Sequence, residues 1–157
     1  MITTLEREVA RIAGHVEDPE LPGLTLADLG IFRQASVGPG GEILVALTPT
    51  YSGCPATEVI ASDVRSALAG AGFGDVTVTM QLSPAWTTDW ITPEGRQKLA
   101  SMGIAPPGPA GNVSFSVKCP RCGSRQTEVV SRFSGTACKA LHRCLACLEP
   151  FEAVKPL

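Results

Sequence analysis

Four cysteines near the end of the chain have the type and spacing for metal chemistry. Cys119-Pro120-Arg121-Cys122 and Cys144-Leu145-Ala146-Cys147 form two Cys-x-x-Cys pairs with 21 residues between them, close to the spacing of four-cysteine zinc sites. Each pair can wrap a tight turn that points both sulfurs at one ion. Four thiolates in a tetrahedron suit zinc and leave no open position, so the site is read as structural. Sulfur ligands alone do not separate zinc from iron. A structural zinc contributes on the order of 10–16 kcal/mol, more than most domains have in total. Loss of Cys119 or Cys144 is therefore expected to unfold residues 112–157.

Two cysteines remain. Cys54 lies in Thr48-Pro49-Thr50-Tyr51-Ser52-Gly53-Cys54-Pro55, between an apolar run that reads as a buried strand and an apolar periodic run that reads as a helix. That places it at or beside a helix N-cap, where unpaired amides and the helix dipole favour a thiolate. The pattern predicts a lowered pKa and a thiol able to act as a nucleophile or soft-metal ligand. The competing reading is a harmlessly buried cysteine at the start of a helix. Cys138, six residues before Cys144, would share a strand face with it. It is read either as a small buried residue under the metal site or as a second functional thiol.

Polar residues surround the Cys54 segment in sequence. Asp18 and Glu20 sit in the Pro-rich stretch Asp18-Pro19-Glu20-Leu21-Pro22-Gly23, Asp28 in Ala27-Asp28-Leu29-Gly30, and Thr48, Thr50 and Ser52 just before the cysteine. Loops at one sheet edge could gather these into a cleft of carboxylate, hydroxyl and thiol, although each acid taken singly reads as a turn residue or cap. His15 reads as a helix-surface residue and His142 as a strand residue, so no Cys-His catalytic pair is evident. Gly38-Pro39-Gly40-Gly41 lacks the Lys-Ser/Thr of a phosphate loop, and no Gly-x-Ser-x-Gly occurs. The chain is read as a non-enzyme. Trp86 and Trp90 read as packing residues rather than a docking surface.

The elements that must position these groups follow from periodicity. Thr3 and Glu6 make a capping box for a helix from Thr4 to about Val16. The prolines at 19 and 22 exclude helix beyond it and require an ordered turn. Ile31, Ala35 and Val37 alternate, and Ile43 to Leu47 is an apolar run, which with the intervening glycines predicts a hairpin. A second helix follows Cys54-Pro55, with Pro55 at its first position, and ends near Gly70 and Gly72. Val76, Val78, Met80 and Leu82 predict a third strand, and Thr92-Pro93-Glu94 opens a short helix that closes near Met102. The stretch 105–111, dense in Pro and Gly, reads as a linker. The expected architecture is α+β: a small two-layer α/β domain over residues 1–104 (helix-strand-strand-helix-strand-helix), the linker, and a small β zinc ribbon over 112–157. Short strands are expected at Val113 to Lys118, Thr127 to Ser131 and Ala140 to Arg143.

Composition sets outer bounds. Of the 157 residues, 44% are hydrophobic and 18% charged, as in a globular protein that buries a core. No apolar run approaches a bilayer span and the N-terminus does not resemble a signal peptide, which predicts a cytoplasmic protein whose cysteines are not disulfides. Residues 1–111 hold six Lys/Arg against twelve Asp/Glu, and 112–157 hold seven against three. Four thiolates on one zinc reduce the excess positive charge of the tail to about two, too weak for a nucleic-acid footprint.

Asp18-Pro19-Glu20-Leu21-Pro22, Asp28-Leu29-Gly30-Ile31 and Thr48 to Pro55 together resemble the SufT-like iron-sulfur assembly family. Leu82 to Thr92, Cys119-Pro-Arg-Cys122 and Thr136-Ala-Cys-Lys-Ala-Leu-His-Arg-Cys144 are similar to one branch of it, the PaaD accessory subunits of bacterial phenylacetyl-CoA epoxidase systems, which serve phenylacetate catabolism. The likeness covers nearly the whole chain, with His142 where an aromatic is expected. It implies a factor for maturation of iron-sulfur or other metal centres. The partners would be the oxygenase and reductase subunits of a multicomponent epoxidase. Cys54 would be the cluster or transfer thiol, Asp18 and Glu20 would shape its site, and Cys138 would join as a second thiol. The cargo would be transient iron or an iron-sulfur cluster, and neither nucleic acid nor membrane would be a partner. One cysteine cannot complete a four-ligand cluster, so bridging in a homodimer or recruitment of Cys138 is required. The rival reading is a structural interaction subunit with an inert Cys54.

Overall fold

A computed structural model describes residues 2–111 and 116–157. Helix α1 (Thr4–Gly14) opens with the expected capping box: Thr3 Oγ1 accepts from the Glu6 amide at 3.1 Å, and Glu6 accepts from the Thr3 amide at 2.8 Å. It ends two residues earlier than the periodicity suggests. The following loop folds back on itself, with Asp18 N–H donating to the Leu24 carbonyl and Leu26 N–H to that of Val16. Strands β1 (Phe32–Val37) and β2 (Ile43–Leu47) form the antiparallel hairpin. Helix α2 (Thr57–Gly70) then carries the chain over to β3 (Val76–Met80), which pairs parallel to β2, as a parallel neighbour requires a crossover. The sheet order is β1-β2-β3.

Both α1 and α2 pack on this sheet and on each other. Val9, Ala13, Val45, Leu47, Val64 and Leu68 are buried between the layers. The third strand stops at Met80, and Leu82, which continues its alternation in sequence, is 59% exposed. The last bond to β2 runs from the Gln81 amide to the Leu47 carbonyl at 2.7 Å, and among the described residues no strand pairs with Leu82.

The chain divides into two compact units, Met1–Trp86 and Thr87–Leu157. The boundary therefore lies upstream of the stretch 105–111 expected to act as a linker. The reason is pairing that spacing does not reveal. Helix α3 (Pro93–Ser101), capped by Thr92, leads into a two-residue strand β4 (Ile104–Ala105). That strand pairs parallel to β7 (Pro150–Val154) of the cysteine module. Residues 87–105 thus belong with the ribbon, and the ribbon carries three further strands: β5 (Thr127–Ser131), β6 (Lys139–Cys144) and β7. Their sheet order is β4-β7-β6-β5. Of the strand expected at 113–118, residues 113–115 lie outside the described residues and 116–118 are not in a strand.

Candidate functional site

Cys119, Cys122, Cys144 and Cys147 come together as the sequence spacing requires. Their sulfurs lie within 4.8 Å of one another, with Cys119 and Cys147 Sγ at 3.8 Å and Cys122 and Cys144 Sγ at 3.5 Å. A tetrahedron with Zn–S bonds of about 2.3 Å has sulfur edges of about 3.8 Å, so the donor set fits a four-thiolate ion. Each knuckle is closed by the backbone: Gly123 N–H donates to the Cys119 carbonyl, and Cys144 N–H to that of Glu149. The ligands cannot all ionise without a cation. Cys144, receiving the Cys147 amide, is held down at about 6. The Glu149 amide also pulls on Cys147, yet burial and hydrogen bonding with the other three thiols push it up to about 12. A bound dication would remove the remaining protons, as soft-metal thiolate sites require.

The residue after each knuckle takes the left-handed backbone, Gly123 at φ 78° and Leu148 at φ 65°. Glycine does so freely, whereas a side chain costs roughly 1–2 kcal/mol there. Beneath the metal cage lies a small apolar layer of Ala105, Phe151 and Ala153, with Val117 partly buried against it. His142 is buried and stacks on Phe151 at 5.5 Å between ring centroids. Burial lowers its pKa, and its Nδ1 has no partner among the described residues. A neutral imidazole is thus a workable substitute for an aromatic ring. Cys138 is buried just before β6, its sulfur 3.1 Å from Thr136 Oγ1, and it does not join the group of four. Beside it, Lys139 is buried and pairs with Glu152 at 2.9 Å.

Cys54 sits in the first unit, half-buried, and departs from expectation in two ways. Helix α2 begins at Thr57 with Ala56 as its cap, so Cys54 precedes the cap and Pro55 lies outside the helix. A turn displaces it: the Thr57 amide and hydroxyl both donate to the Cys54 carbonyl, at 3.3 and 2.6 Å. The thiol pKa is raised rather than lowered. Burial is the main cause, the Ala56 amide pulls the other way, the Glu20 charge pushes it up, a hydrogen bond with the Tyr51 side chain lowers it, and the Asp18 charge adds a further rise. The helix-start amide expected to help is present, but desolvation and two carboxylates outweigh it.

Asp18 and Glu20 thus reach the thiol electrostatically. Asp18 is buried, with Oδ1 accepting from the amides of Glu20 and Leu21 at 2.8 and 3.0 Å, which fixes the loop that carries Glu20. Asp28 instead closes a turn with Thr25: Oδ2 accepts from the Thr25 amide and Thr25 Oγ1 from the Asp28 amide. Thr48 is buried at the strand exit, its amide donating to the Ile31 carbonyl. Among the described residues, Thr50 and Ser52 make no hydrogen bond to Cys54. Tyr51 is the contributor that sequence reasoning missed; it was legible only as a neighbour three residues away. Trp86 is buried with Nε1 donating to the Leu29 carbonyl at 2.8 Å, whereas Trp90 is half-buried. His15 is exposed at the end of α1.

Comparison with known proteins assigns both halves of this arrangement. Residues 6–80 match the family described as "Iron-sulfur cluster assembly protein", and residues 105–155 match the "PaaD zinc beta ribbon domain". The chain is 46% identical over 153 residues to an Escherichia coli K12 protein named as a "Putative 1,2-phenylacetyl-CoA epoxidase" subunit, covering 94% of this chain and 91% of that one. The chain belongs to the PaaD family. A Porphyromonas gingivalis protein named "Fe-S protein maturation auxiliary factor" is 32% identical over 95 residues, 60% of this chain and 90% of that one. A crystal structure of a DUF59 domain from Bacillus anthracis shares the fold at TM-score 0.56 and 24% identity, over 60% of this chain and 90% of its own. The PaaD family chain therefore joins an iron-sulfur assembly domain to a four-cysteine ribbon. Among the described residues no helix is long and apolar enough to cross a membrane.

Proposed function

We propose that this chain is a non-catalytic maturation factor for the iron-sulfur or other metal centres of a cytoplasmic phenylacetyl-CoA epoxidase. It takes iron or a cluster transiently on Cys54 and works with the oxygenase and reductase subunits. The observation that carries the reading is the setting of Cys54: a half-buried thiol in an iron-sulfur assembly domain, under the field of two carboxylates. At neutral pH burial, with those charges adding to it, keeps the thiol protonated and guarded against oxidation. The same charges attract a cation, and a bound cation displaces the proton and creates the thiolate that soft cargo needs. Cys54 supplies one ligand, so the others come from a second copy or from the client. The ribbon holds a structural zinc.

The raised thiol pKa also favours a second reading, in which Cys54 is inert and the chain is a structural subunit of the oxygenase complex. Anaerobic reconstitution with iron and sulfide, followed by metal analysis and absorption spectroscopy on wild type and Cys54→Ser, separates the two. On the maturation reading both proteins keep one zinc and only the variant loses the iron chromophore. An iron chromophore of equal intensity in Cys54→Ser overturns it.

A further inference from the structure

The stretch 105–111, expected to be a linker, instead helps to enclose a cavity of about 490 Å³ in the second unit. Pro106–Pro109 supply one part of its lining, Ser116–Lys118 with Arg125 another, and Val154 and Pro156 the rest. Side chains pin the first two parts in place. Arg96 donates to the carbonyls of Pro107 and Thr88 at 2.5 and 2.8 Å, and the Ala110 amide donates to the Asp89 carboxylate at 3.0 Å. Ser116 Oγ donates to the Arg125 carbonyl at 3.0 Å and Thr127 Oγ1 to that of Val117 at 2.6 Å. A cavity fixed before binding spares a ligand the cost of ordering its walls.

The lining specifies the kind of ligand. Prolines have no N–H to donate and present apolar ring faces, so the wall they make suits a flat ring system. The charge is all of one sign: Lys118 and Arg125 are both exposed, and among the described residues neither is in an ion pair and no carboxylate lines the cavity. Two cations are matched by a dianion. A carboxylate carries a single charge, whereas a phosphate monoester carries about 1.5–2 at pH 7 and fits the planar fork of an arginine. The volume lies within the range of roughly 300–1,000 Å³ usual for small-molecule sites. We propose that this cavity binds a phosphate monoester carried on a flat ring system, with Lys118 and Arg125 on the phosphate and the proline wall against the ring. Such a group is found on free nucleotides and at the nucleotide end of coenzyme A.

The test is calorimetry on the full-length, zinc-loaded chain with adenosine 3′,5′-bisphosphate, coenzyme A, adenosine, inorganic phosphate and phenylacetate as probes. Wild type, Lys118→Gln, Arg125→Gln, Arg121→Gln and Cys54→Ser are compared, with zinc content and thermal midpoint reporting whether the ribbon is intact. The bisphosphate should bind wild type, and Lys118→Gln and Arg125→Gln should each weaken it by about tenfold. Adenosine and inorganic phosphate, which each hold half of the recognised group, should bind at least about tenfold more weakly than the bisphosphate. Arg121, exposed but outside the lining, is the control for general charge, and Arg121→Gln should bind like wild type. Coenzyme A binding as tightly as the bisphosphate identifies the carrier as the source; weaker binding identifies a free nucleotide. Should Lys118→Gln disturb the neighbouring metal ligand Cys119, Arg125→Gln decides. No binding of either phosphorylated probe at millimolar concentration, bisphosphate binding unchanged in Arg125→Gln, an equal loss in Arg121→Gln, or phenylacetate bound as tightly as the bisphosphate would each overturn the proposal. The cavity shares no residue with the Cys54 site, so Cys54→Ser should bind the bisphosphate like wild type and either reading can fail alone.

Discussion

Removing the metal should unfold the ribbon while the first unit stays folded. The layer beneath the four cysteines contains one large buried side chain, Phe151, alongside Ala105 and Ala153. Burying a phenylalanine contributes about 1.5–3 kcal/mol, while fixing each residue's backbone opposes folding by about 1–2 kcal/mol. A zinc ion held by four thiolates contributes about 10–16 kcal/mol, which exceeds the whole stability of a typical domain. The first unit has its own core around Val9, Leu47, Val64 and Leu68 and shares none of these ligands. Chelating the metal under reducing conditions, then mapping amide hydrogen exchange, should show β5, β6 and β7 losing protection together. Strand β4 should follow, because its only sheet partner among the described residues is β7. Amides of α1, α2 and β2 should keep theirs. Persistent protection of β6 and β7 in protein shown to be metal-free would refute the argument and mean that the apolar layer suffices. Cys144→Ser should behave like the chelated protein.

Two further outcomes follow from the charges. Cys54 has a raised pKa, so at pH 7.5 it should react with iodoacetamide more slowly than a free cysteine, with a rate that climbs through a midpoint above the usual 9.0. Glu20→Gln should lower that midpoint and speed the reaction, and mass spectrometry of the Cys54 peptide reads both. In the ribbon, burial alone would raise the Glu152 pKa, but Ser134, Lys139 and the Gly135 amide hold it below its ordinary 4.5. Its contribution is therefore complete above pH 4.5 and fades as pH falls through the lowered value. Glu152→Ala strands the buried Lys139 ammonium and should lower ribbon stability by about 3 kcal/mol at pH 7. A Lys139→Met/Glu152→Leu pair should recover most of that, as thermal unfolding will show.

The sequence by itself determined whatever depends on close neighbours. The four metal ligands were legible because two short turns each present two sulfurs, and a tetrahedral ion needs no more than that. Helices α1, α2 and α3, strands β1 and β2, and the Thr3 and Thr92 caps were legible because their signals repeat within a few residues. The third strand was legible up to Met80, but its end was not: the alternation runs on to Leu82, and only the lack of a pairing strand stops it. The unit boundary was hidden for a similar reason, since Ile104 and Ala105 join the ribbon through a partner strand some 50 residues away, and Pro and Gly in the stretch 105–111 suggested a linker instead. Tertiary structure also decided the state of Cys54. Proximity to a helix start favours a thiolate, and that amide does act on it. How deeply the sulfur is buried, and whether Asp18 and Glu20 arrive from a loop over thirty residues earlier, depends on how the chain folds back. Those long-range terms carry the opposite sign and prevail, because desolvation and unscreened charge grow as water is excluded.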